Sequence, residues 1–286
     1  DYRSIKQVSV TSGKRLPREL SRCTHLESLE LVNTRISKLN RLKKLPRLQT
    51  IVVLNNNPKR RLKISKSRTV KSLVFRSETS NHLPSSYRNL SSLEKLDLAS
   101  NQLTVFPTGL TKNKRLKELA LNNNSIRLDQ SVIEYLPQLE KVGFVRNKIE
   151  TVTAQIQNLP NLKQLTFNYN SIKEVDPALG KLSKLEELSF YRNQLTEIPK
   201  AVFDLVTLRE IDLYYNEIER VDDQIAALQN LEVLYVSNNR VISLPESLGK
   251  LSKLRELYVS NNRLADLPQS LYGLRELRVV RANNNQ

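Results

Sequence analysis

The sequence predicts an α/β repeat solenoid, with short parallel strands on one face and short helical or 3₁₀ segments on the other. Three observations lead to this prediction: a period of 23 residues, alternating apolar residues inside each period, and an asparagine at a fixed position. The chain of 286 residues is 39% apolar, which is enough to bury a core, and no apolar run approaches the length of a membrane span.

The period is visible when the chain is compared with itself. The segments LEKLDLASNQL and LKELALNNNSI share the form L-x-x-L-x-L-x-x-N-x-L. Regular copies, always 23 residues apart, open at Leu93, Leu116, Leu139, Leu162, Leu185, Leu208, Leu231, Leu254 and Leu277. Looser copies open at Leu26, Leu48 and Val70, and a degenerate one opens at Ile5, which makes thirteen copies in all.

Each copy predicts a strand followed by an outer segment. Leu119 and Leu121 alternate with residues that point the other way, which is typical of a strand with one buried face. The segment LTEIPKAVFDLVTL (195–208) then has apolar residues every three or four positions, which indicates a turn of helix or 3₁₀ helix. A single copy cannot bury its own leucines, whereas stacked copies share a continuous core. Residues 1–286 are therefore expected to form one domain.

This pattern resembles that of leucine-rich repeat proteins over essentially the whole chain. Its 23-residue length and the recurring Leu-Pro dipeptide, as at Leu16-Pro17 and Leu244-Pro245, are similar to bacterial leucine-rich proteins and to cytosolic scaffolds of the Ras-associated type. The outer segments are bulkier than strands spaced about 4.8 Å apart. The stack is therefore expected to curve into an arc, with its strands on the concave face and its helical segments on the convex face.

The recurring asparagine has a predicted structural role. Its side chain carries both a donor and an acceptor, so it can satisfy backbone groups of the turn after the strand. The copies with this residue have Asn101, Asn124, Asn147, Asn170, Asn193, Asn216, Asn239, Asn262 and Asn285. Thr34 takes the same slot in an early copy, and Glu78 takes it in another, where a buried carboxylate is expected to distort the turn.

Charge divides the chain into two regions. Residues 1–90, the degenerate copies, hold 21 Lys/Arg and 5 Asp/Glu, a net charge of 21 − 5 = +16. Residues 91–286, the regular copies, hold 25 and 24, a net charge of 25 − 24 = +1. Such an asymmetry points towards an anionic partner for the first region.

Catalysis has little support in the sequence. The single cysteine, Cys23, excludes a disulfide framework and a cysteine-based metal site. Neither His25 nor His82 has a nucleophile or carboxylate at a motif spacing, and the six glycines form no phosphate-binding loop. Three aromatic residues at one inward position, Phe144, Phe167 and Phe190, are interpreted as core stacking. We expect no catalytic residue, no cofactor and no metal.

Tyrosines collect at the exposed strand positions of the C-terminal half, and we predict that they bind a protein or peptide on the concave face. Tyrosine and arginine are enriched at interface hot spots. The predicted partner-binding residues are Tyr169, Tyr191, Arg192, Asp212, Tyr214, Tyr215, Tyr235, Arg240, Tyr258 and Arg263, with Arg146, Glu210 and Glu256 interleaved. Two alternatives remain: tyrosine is common in strands, and a saccharide could stack on these rings.

The stretch NNNPKRRLKISKSR in the third copy is strongly basic. Its cations are Lys59, Arg60, Arg61, Lys63, Lys66, Arg68 and Lys71. One interpretation is a solvated outer loop without a specific ligand, which we favour. The other is a weak, salt-sensitive affinity for an anionic membrane or glycan. Nucleic acid is disfavoured, because almost no aromatic residues interleave with these cations for base stacking.

The sequence therefore favours a monomeric, non-catalytic recognition module. The resemblance to bacterial leucine-rich proteins, and a chain that contains no methionine, favour an exported or cell-surface bacterial protein. One alternative is a cytoplasmic signalling scaffold of the Ras-associated type. Another is the substrate-targeting domain of an effector enzyme that continues beyond Gln286.

Overall fold

The structure of the chain is a computed structural model that describes residues 1–57, 61–77 and 84–286. Two compact units are present, one made of residues 1–125 and 134–139 and the other of residues 126–133 and 140–286. Residue 90, where the charge composition changes, lies inside the first unit. Glu78, at which the sequence predicts a distorted turn, lies outside the described residues.

The first unit contains a parallel sheet in which neighbouring strands come from consecutive copies. Its main sheet has the order β1-β2-β4-β6-β7-β8, and β3 pairs with β5 on the outer side. The strands are β1 (Gln7–Thr11), β2 (Ser28–Val32), β3 (Lys38–Leu39), β4 (Thr50–Leu54), β5 (Lys63–Ile64), β6 (Ser72–Arg76), β7 (Lys95–Asp97) and β8 (Glu118–Ala120). The 3₁₀ helices are Tyr2–Ser4, Arg18–Arg22, Leu42–Lys44, Ser85–Asn89 and Leu110–Lys112.

The second unit repeats this arrangement with greater regularity. Its main sheet has the order β9-β11-β13-β14-β15-β16-β17, and β10 pairs with β12. The strands are β9 (Lys141–Gly143), β10 (Thr151–Val152), β11 (Gln164–Thr166), β12 (Glu174–Val175), β13 (Glu187–Ser189), β14 (Glu210–Asp212), β15 (Val233–Tyr235), β16 (Glu256–Tyr258) and β17 (Val279–Arg281). The 3₁₀ helices are Ala154–Asn158, Pro177–Lys181, Lys200–Asp204, Asp223–Ala227, Glu246–Lys250 and Gln269–Gly273.

The thirteen main-sheet strands of the described residues, six in the first unit and seven in the second, correspond to the thirteen predicted copies. Within each strand the apolar residue points inward: Ile211 is fully buried, whereas its neighbours Glu210 and Asp212 are partly exposed. The predicted phenylalanine stack is confirmed, with Phe144 and Phe167 centroids 5.3 Å apart and Phe167 and Phe190 centroids 5.4 Å apart. The inner face of each copy is thus committed to the shared core.

The outer segments are short 3₁₀ helices, as the apolar spacing predicts. In Lys200–Asp204, three consecutive residues (Ala201, Val202 and Phe203) are buried, and the Val202 amide donates to the Pro199 carbonyl at 2.8 Å. Proline at this position lacks an amide hydrogen that would have no partner within the helix, so it marks where the helix begins. Asp176 and Asp222 perform the related capping task by accepting from Ala178 and Gln224 amides.

The predicted role of the asparagine ladder is confirmed. Asn193 is 8% exposed, and its Nδ2 donates to the carbonyls of Phe167 and Phe190, each at 3.0 Å. Its Oδ1 accepts from the Ile172 amide at 2.9 Å. Two of these three groups belong to the preceding copy, so one side chain joins two turns of the solenoid. Thr34 keeps a link in its own slot by donating to Asn56 Oδ1 at 2.7 Å.

Replacing Asn193 with alanine should lower the free energy of unfolding by about 3 kcal/mol, because buried carbonyl and amide groups of two copies lose their partners. Urea denaturation followed by circular dichroism measures the change. Gln194→Ala, a substitution at the next residue of the same turn, should change the free energy by less than about 0.5 kcal/mol. Equal effects of the two substitutions would contradict the assigned role of Asn193.

Candidate functional site

The exposed face of the sheet in the second unit carries the six predicted tyrosines. Five of them, Tyr169, Tyr191, Tyr214, Tyr235 and Tyr258, are partly exposed, and Tyr215 is 38% exposed. None of these rings belongs to the buried core. They occupy three positions of the repeat: the last strand residue (Tyr235 and Tyr258), two residues beyond it (Tyr191 and Tyr214), and three residues beyond it (Tyr169 and Tyr215).

Four of the rings form one contact network. Tyr191 lies 5.1 Å from Tyr169, 5.7 Å from Tyr214 and 5.9 Å from Tyr215, measured between ring centroids. Tyr214 and Tyr215 meet edge to face at 4.7 Å. Tyr235 and Tyr258 form a separate stacked pair at 4.7 Å. Such contacts restrict the rings to defined positions, so little conformational entropy is left to lose on binding.

The residue just before the ladder asparagine has a left-handed backbone in most copies. Asparagine or serine occupies this position in Ser12, Asn33, Asn55, Ser100, Asn123, Asn238, Asn261 and Asn284. Four consecutive copies instead have Arg146, Tyr169, Arg192 and Tyr215, with φ between 53° and 57°. Bulky side chains are rare in this conformation, whereas asparagine tolerates it. We call these four residues the Arg–Tyr column.

Arginine and tyrosine alternate along the column and contact one another. The guanidinium of Arg146 lies 4.6 Å from the Tyr169 ring centroid. That of Arg192 lies 5.4 Å from the Tyr169 centroid and 4.6 Å from the Tyr215 centroid. A guanidinium over an aromatic face is held by cation–π attraction, so each cation has a preferred position on the surface.

Carboxylates occupy the opposite side of the same sheet face. Glu187 and Glu210 are neighbours in the register of β13 and β14, and Asp212 and Glu256 lie close to them. Burial raises the pKa of Glu210, and the negative charges of Glu187, Asp212 and Glu256 raise it further. Burial also raises the pKa of Asp212, although its carboxylate accepts from the Tyr214 amide at 3.0 Å and from the Ser189 hydroxyl at 3.0 Å. We call these four residues the carboxylate patch.

The carboxylate patch also affects the neighbouring phenols. Tyr258 donates to Glu256 Oε2 at 2.6 Å, and this hydrogen bond is the largest cause that raises the pKa of Tyr258 to about 12. Burial raises the pKa of Tyr235, with smaller contributions from Glu210, Glu256 and Asp212. Both phenols therefore stay protonated as hydrogen-bond donors throughout the neutral range.

The predicted arginines separate into two groups. Arg192 belongs to the Arg–Tyr column, whereas Arg240 and Arg263 come two residues after the left-handed position of their copies. Arg240 forms an ion pair with Glu217 at 3.0 Å, and Arg263 is exposed. In the described part of the chain neither of them stacks on a tyrosine. Sequence reasoning missed the left-handed position, for which the asparagines and serines in the other copies were the available signal.

The basic stretch of the third copy is only partly described, since Lys59 and Arg60 lie outside the described residues. Arg61, Lys63, Lys66, Arg68 and Lys71 are all exposed. Lys71 forms an ion pair with Glu94 at 3.5 Å, while Lys66 and Arg68 line a cavity of about 570 Å³ together with Lys43. Ser67 replaces a core leucine and uses its hydroxyl to accept from the Thr69 and Val70 amides at 3.3 Å and 3.4 Å.

A second basic surface lies near the start of the first unit. An open groove of about 530 Å³ has an apolar base that includes Leu16, Leu20 and Leu45. Its cations are Lys14, Arg15, Arg18, Lys38 and Arg41, and no carboxylate lines it. Among the described residues, none of these five cations forms an ion pair with a carboxylate. Sequence reasoning ranked the later stretch higher because its cations are adjacent in the chain.

Metal ligands and membrane spans were also sought. In residues 1–57, 61–77 and 84–286, no group of three or more histidine, cysteine, aspartate or glutamate side chains is placed to hold a metal ion. No helix in the same residues has the length and apolar character needed to cross a lipid bilayer. His25 contacts the Arg3 carbonyl through Nδ1, and His82 lies outside the described residues.

Family profiles for leucine-rich repeats match three parts of the chain. A profile described as a leucine-rich repeat region matches residues 192–286, and two further leucine-rich repeat profiles match residues 160–218 and 92–113. No curated protein is similar enough in sequence to match.

Solved structures of similar fold come from several kinds of organism. An internalin of Listeria monocytogenes has a TM-score of 0.71 and 21% identity, covering 100% of this chain and 83% of its own. A plant peptide hormone receptor in complex with RGF2 has a TM-score of 0.68 and 22% identity, covering 99% and 48%. The Toll–Spatzle complex of Drosophila has a TM-score of 0.76 and 19% identity, covering 92% and 38%. Identities this low show a shared fold alone.

Replacing Glu210 with glutamine should raise the free energy of unfolding at pH 7. A raised pKa means that the folded state disfavours the ionised carboxylate, so its destabilising effect grows as the pH rises from the unfolded pKa through the folded pKa. The stability gain should therefore disappear below about pH 4.3, where the carboxyl group is protonated in both states. Urea denaturation across this pH range measures it, with the exposed Glu197→Gln as control. A gain that is independent of pH would contradict this electrostatic account.

Proposed function

Because the chain is a leucine-rich repeat protein, we propose that it is a non-catalytic recognition module that binds a protein or peptide on the sheet face of its second unit. The observation that carries the proposal is the exposed network of tyrosine rings and arginines on that face. Large, restrained aromatic side chains supply contact area at a small entropic cost. The buried side of the same strands is already used by the core, so only this side is free for contact.

The similar structures support a protein partner in general terms. Two of them are named as complexes, one of a peptide hormone receptor with RGF2 and one of Toll with Spatzle. A saccharide is the rival ligand, since it also stacks on aromatic rings. It accounts less well for the alternation with arginine and for the carboxylate patch, because charged groups of both signs suit a polypeptide that carries both.

We further propose an exported or cell-surface bacterial protein, supported by the similarity to an internalin. The rivals are a cytosolic scaffold of the Ras-associated type and the targeting domain of an effector enzyme. Sequence flanking residues 1–286 distinguishes the three, because each requires a different neighbour: an export signal, an intracellular scaffold region, or a catalytic domain.

Replacing Tyr191, Tyr214 and Tyr235 together with alanine should weaken partner binding by at least about 100-fold, because each truncation at a hot spot costs about 1–2 kcal/mol or more. Affinity capture with the intact chain, followed by titration of the captured partner, measures the loss. The circular dichroism spectrum should not change, since all three rings lie outside the buried core.

The matched control replaces Tyr135 and Tyr272, which are 63% and 94% exposed and lie elsewhere on the surface. This control should bind the partner with unchanged affinity. Undiminished binding by the triple variant would rule out the sheet face as the binding site.

A second candidate function is weak attachment of the first unit to an anionic glycan or membrane. The observation that favours it is the groove lined by Lys14, Arg15, Arg18, Lys38 and Arg41 without a carboxylate. The five described cations of the basic stretch, from Arg61 to Lys71, would add to the same attraction. Long-range attraction of this kind is screened by salt.

Charge reversal of Lys14, Arg15 and Arg18 to glutamate should weaken heparin binding by at least about tenfold, since each cation near an anionic surface contributes about 1 kcal/mol. Charge reversal of Lys59, Arg60 and Arg61 should act in the same direction. The control reverses Lys173, Lys184 and Arg220, three exposed cations of the second unit. Heparin or anionic-vesicle binding that ignores salt, or that survives both reversals, would exclude this attachment.

A further inference from the structure

The Arg–Tyr column puts unfavourable residues at a demanding backbone position. Asparagine or serine fills the same left-handed position in eight other copies, where its short polar side chain suits that conformation. Arg146, Tyr169, Arg192 and Tyr215 gain no buried contact in exchange, because both arginines and Tyr215 are exposed and Tyr169 is partly exposed. Strained residues that the fold does not require are a reason to look for function.

The contacts within the column prepare the guanidinium groups for a ligand. Arg146 and Arg192 lie over tyrosine rings, so their faces are covered while their N–H groups stay at the edges. Neither arginine forms an ion pair with a carboxylate anywhere in the described residues. A positioned guanidinium with free edges can receive a carboxylate through two parallel hydrogen bonds.

The carboxylate patch sets a direction across the sheet face. Glu187, Glu210 and Glu256 begin their strands, whereas the arginines of the column follow the strand ends. Tyr191 and Tyr214 lie between these two sets in the order of the repeat. An acidic ligand is attracted to the column and repelled by the patch, which restricts it to one side of the face.

We propose that Arg146 and Arg192 bind two carboxylates of an acidic segment in a protein partner. This rests on the proposed function, since it specifies the chemistry of the partner that the tyrosine face would bind. The two arginines are two copies apart, so strands spaced about 4.8 Å apart put the two carboxylates about 10 Å from each other. The aromatic rings of the column and the neighbouring Tyr191 then pack against the backbone and apolar side chains of the same segment.

A random-peptide library displayed on phage tests the proposal with the full chain as bait. Clones are sorted by whether the Tyr191, Tyr214 and Tyr235 triple alanine variant loses them, which selects peptides that use the sheet face and discards those held by the basic first unit. The selected peptides are synthesised, and their affinities are measured by fluorescence anisotropy. They are expected to contain at least two aspartates or glutamates.

The decisive variant is Arg146→Asn with Arg192→Asn, which introduces the residue that other copies use. Selected peptides should bind it at least about tenfold more weakly, and peptides with glutamine in place of glutamate should lose affinity for the unchanged protein to the same extent. The control Lys148→Asn with Arg220→Asn removes the same number of exposed cations from the second unit and should change affinity less than about twofold.

The outcomes separate the two levels of the argument. If no peptide depends on the tyrosines, the proposed function fails and the inference fails with it. If tyrosine-dependent peptides are neutral or basic, or bind the Arg146→Asn and Arg192→Asn variant unchanged, the inference alone is overturned. The melting temperature of that variant should equal or exceed that of the unchanged protein. A lower one would show that the arginines serve the fold and would remove the reason for assigning them a ligand.

Discussion

Every regular copy of the second unit turns its backbone away from the sheet at an asparagine whose amide joins two neighbouring copies. Asn193, Asn216 and Asn239 make the same set of contacts, donating to a carbonyl of their own copy and to one of the preceding copy. Burying these backbone groups without partners would cost several kcal/mol in each copy. The ladder is therefore what allows the leucines to be stacked at all.

The same turn also determines the binding face. Because the asparagine side chain must reach the preceding copy, the residue before it adopts the left-handed backbone seen in Arg146, Tyr169, Arg192 and Tyr215. That conformation directs its side chain to the surface beside the strand end. The structural ladder and the Arg–Tyr column are thus two consequences of one turn, and the fold fixes the positions of the column while leaving its chemistry free to vary.

Much of this could be predicted from the sequence, because the interactions concerned recur every 23 residues. Strands, 3₁₀ segments, the stack of Phe144, Phe167 and Phe190, and the role of the asparagines all follow from periodicity and simple chemistry. The left-handed backbone at Tyr169 was not predicted, since φ depends on the turn as a whole and tyrosine gives no sign of it. The groove at Lys14 and Arg41 was also missed, because its residues come from two copies and meet only after folding.

Charge content and charge availability differ in this chain, and the second unit shows why the difference matters. Residues 91–286 have a net charge of only +1. Many of their cations already have partners: Glu232 accepts from Arg209 and Arg255, each at 2.8 Å, and Lys163 pairs with Glu140 at 3.1 Å. A cation with a partner must give up that contact before it can bind another molecule, which reduces the net gain in free energy. Arg146 and Arg192 have only tyrosine rings beside them, so a nearly neutral unit holds two cations that are both positioned and free. Net charge identifies the first unit as the anion-binding region, yet the two best-positioned guanidinium groups are in the second.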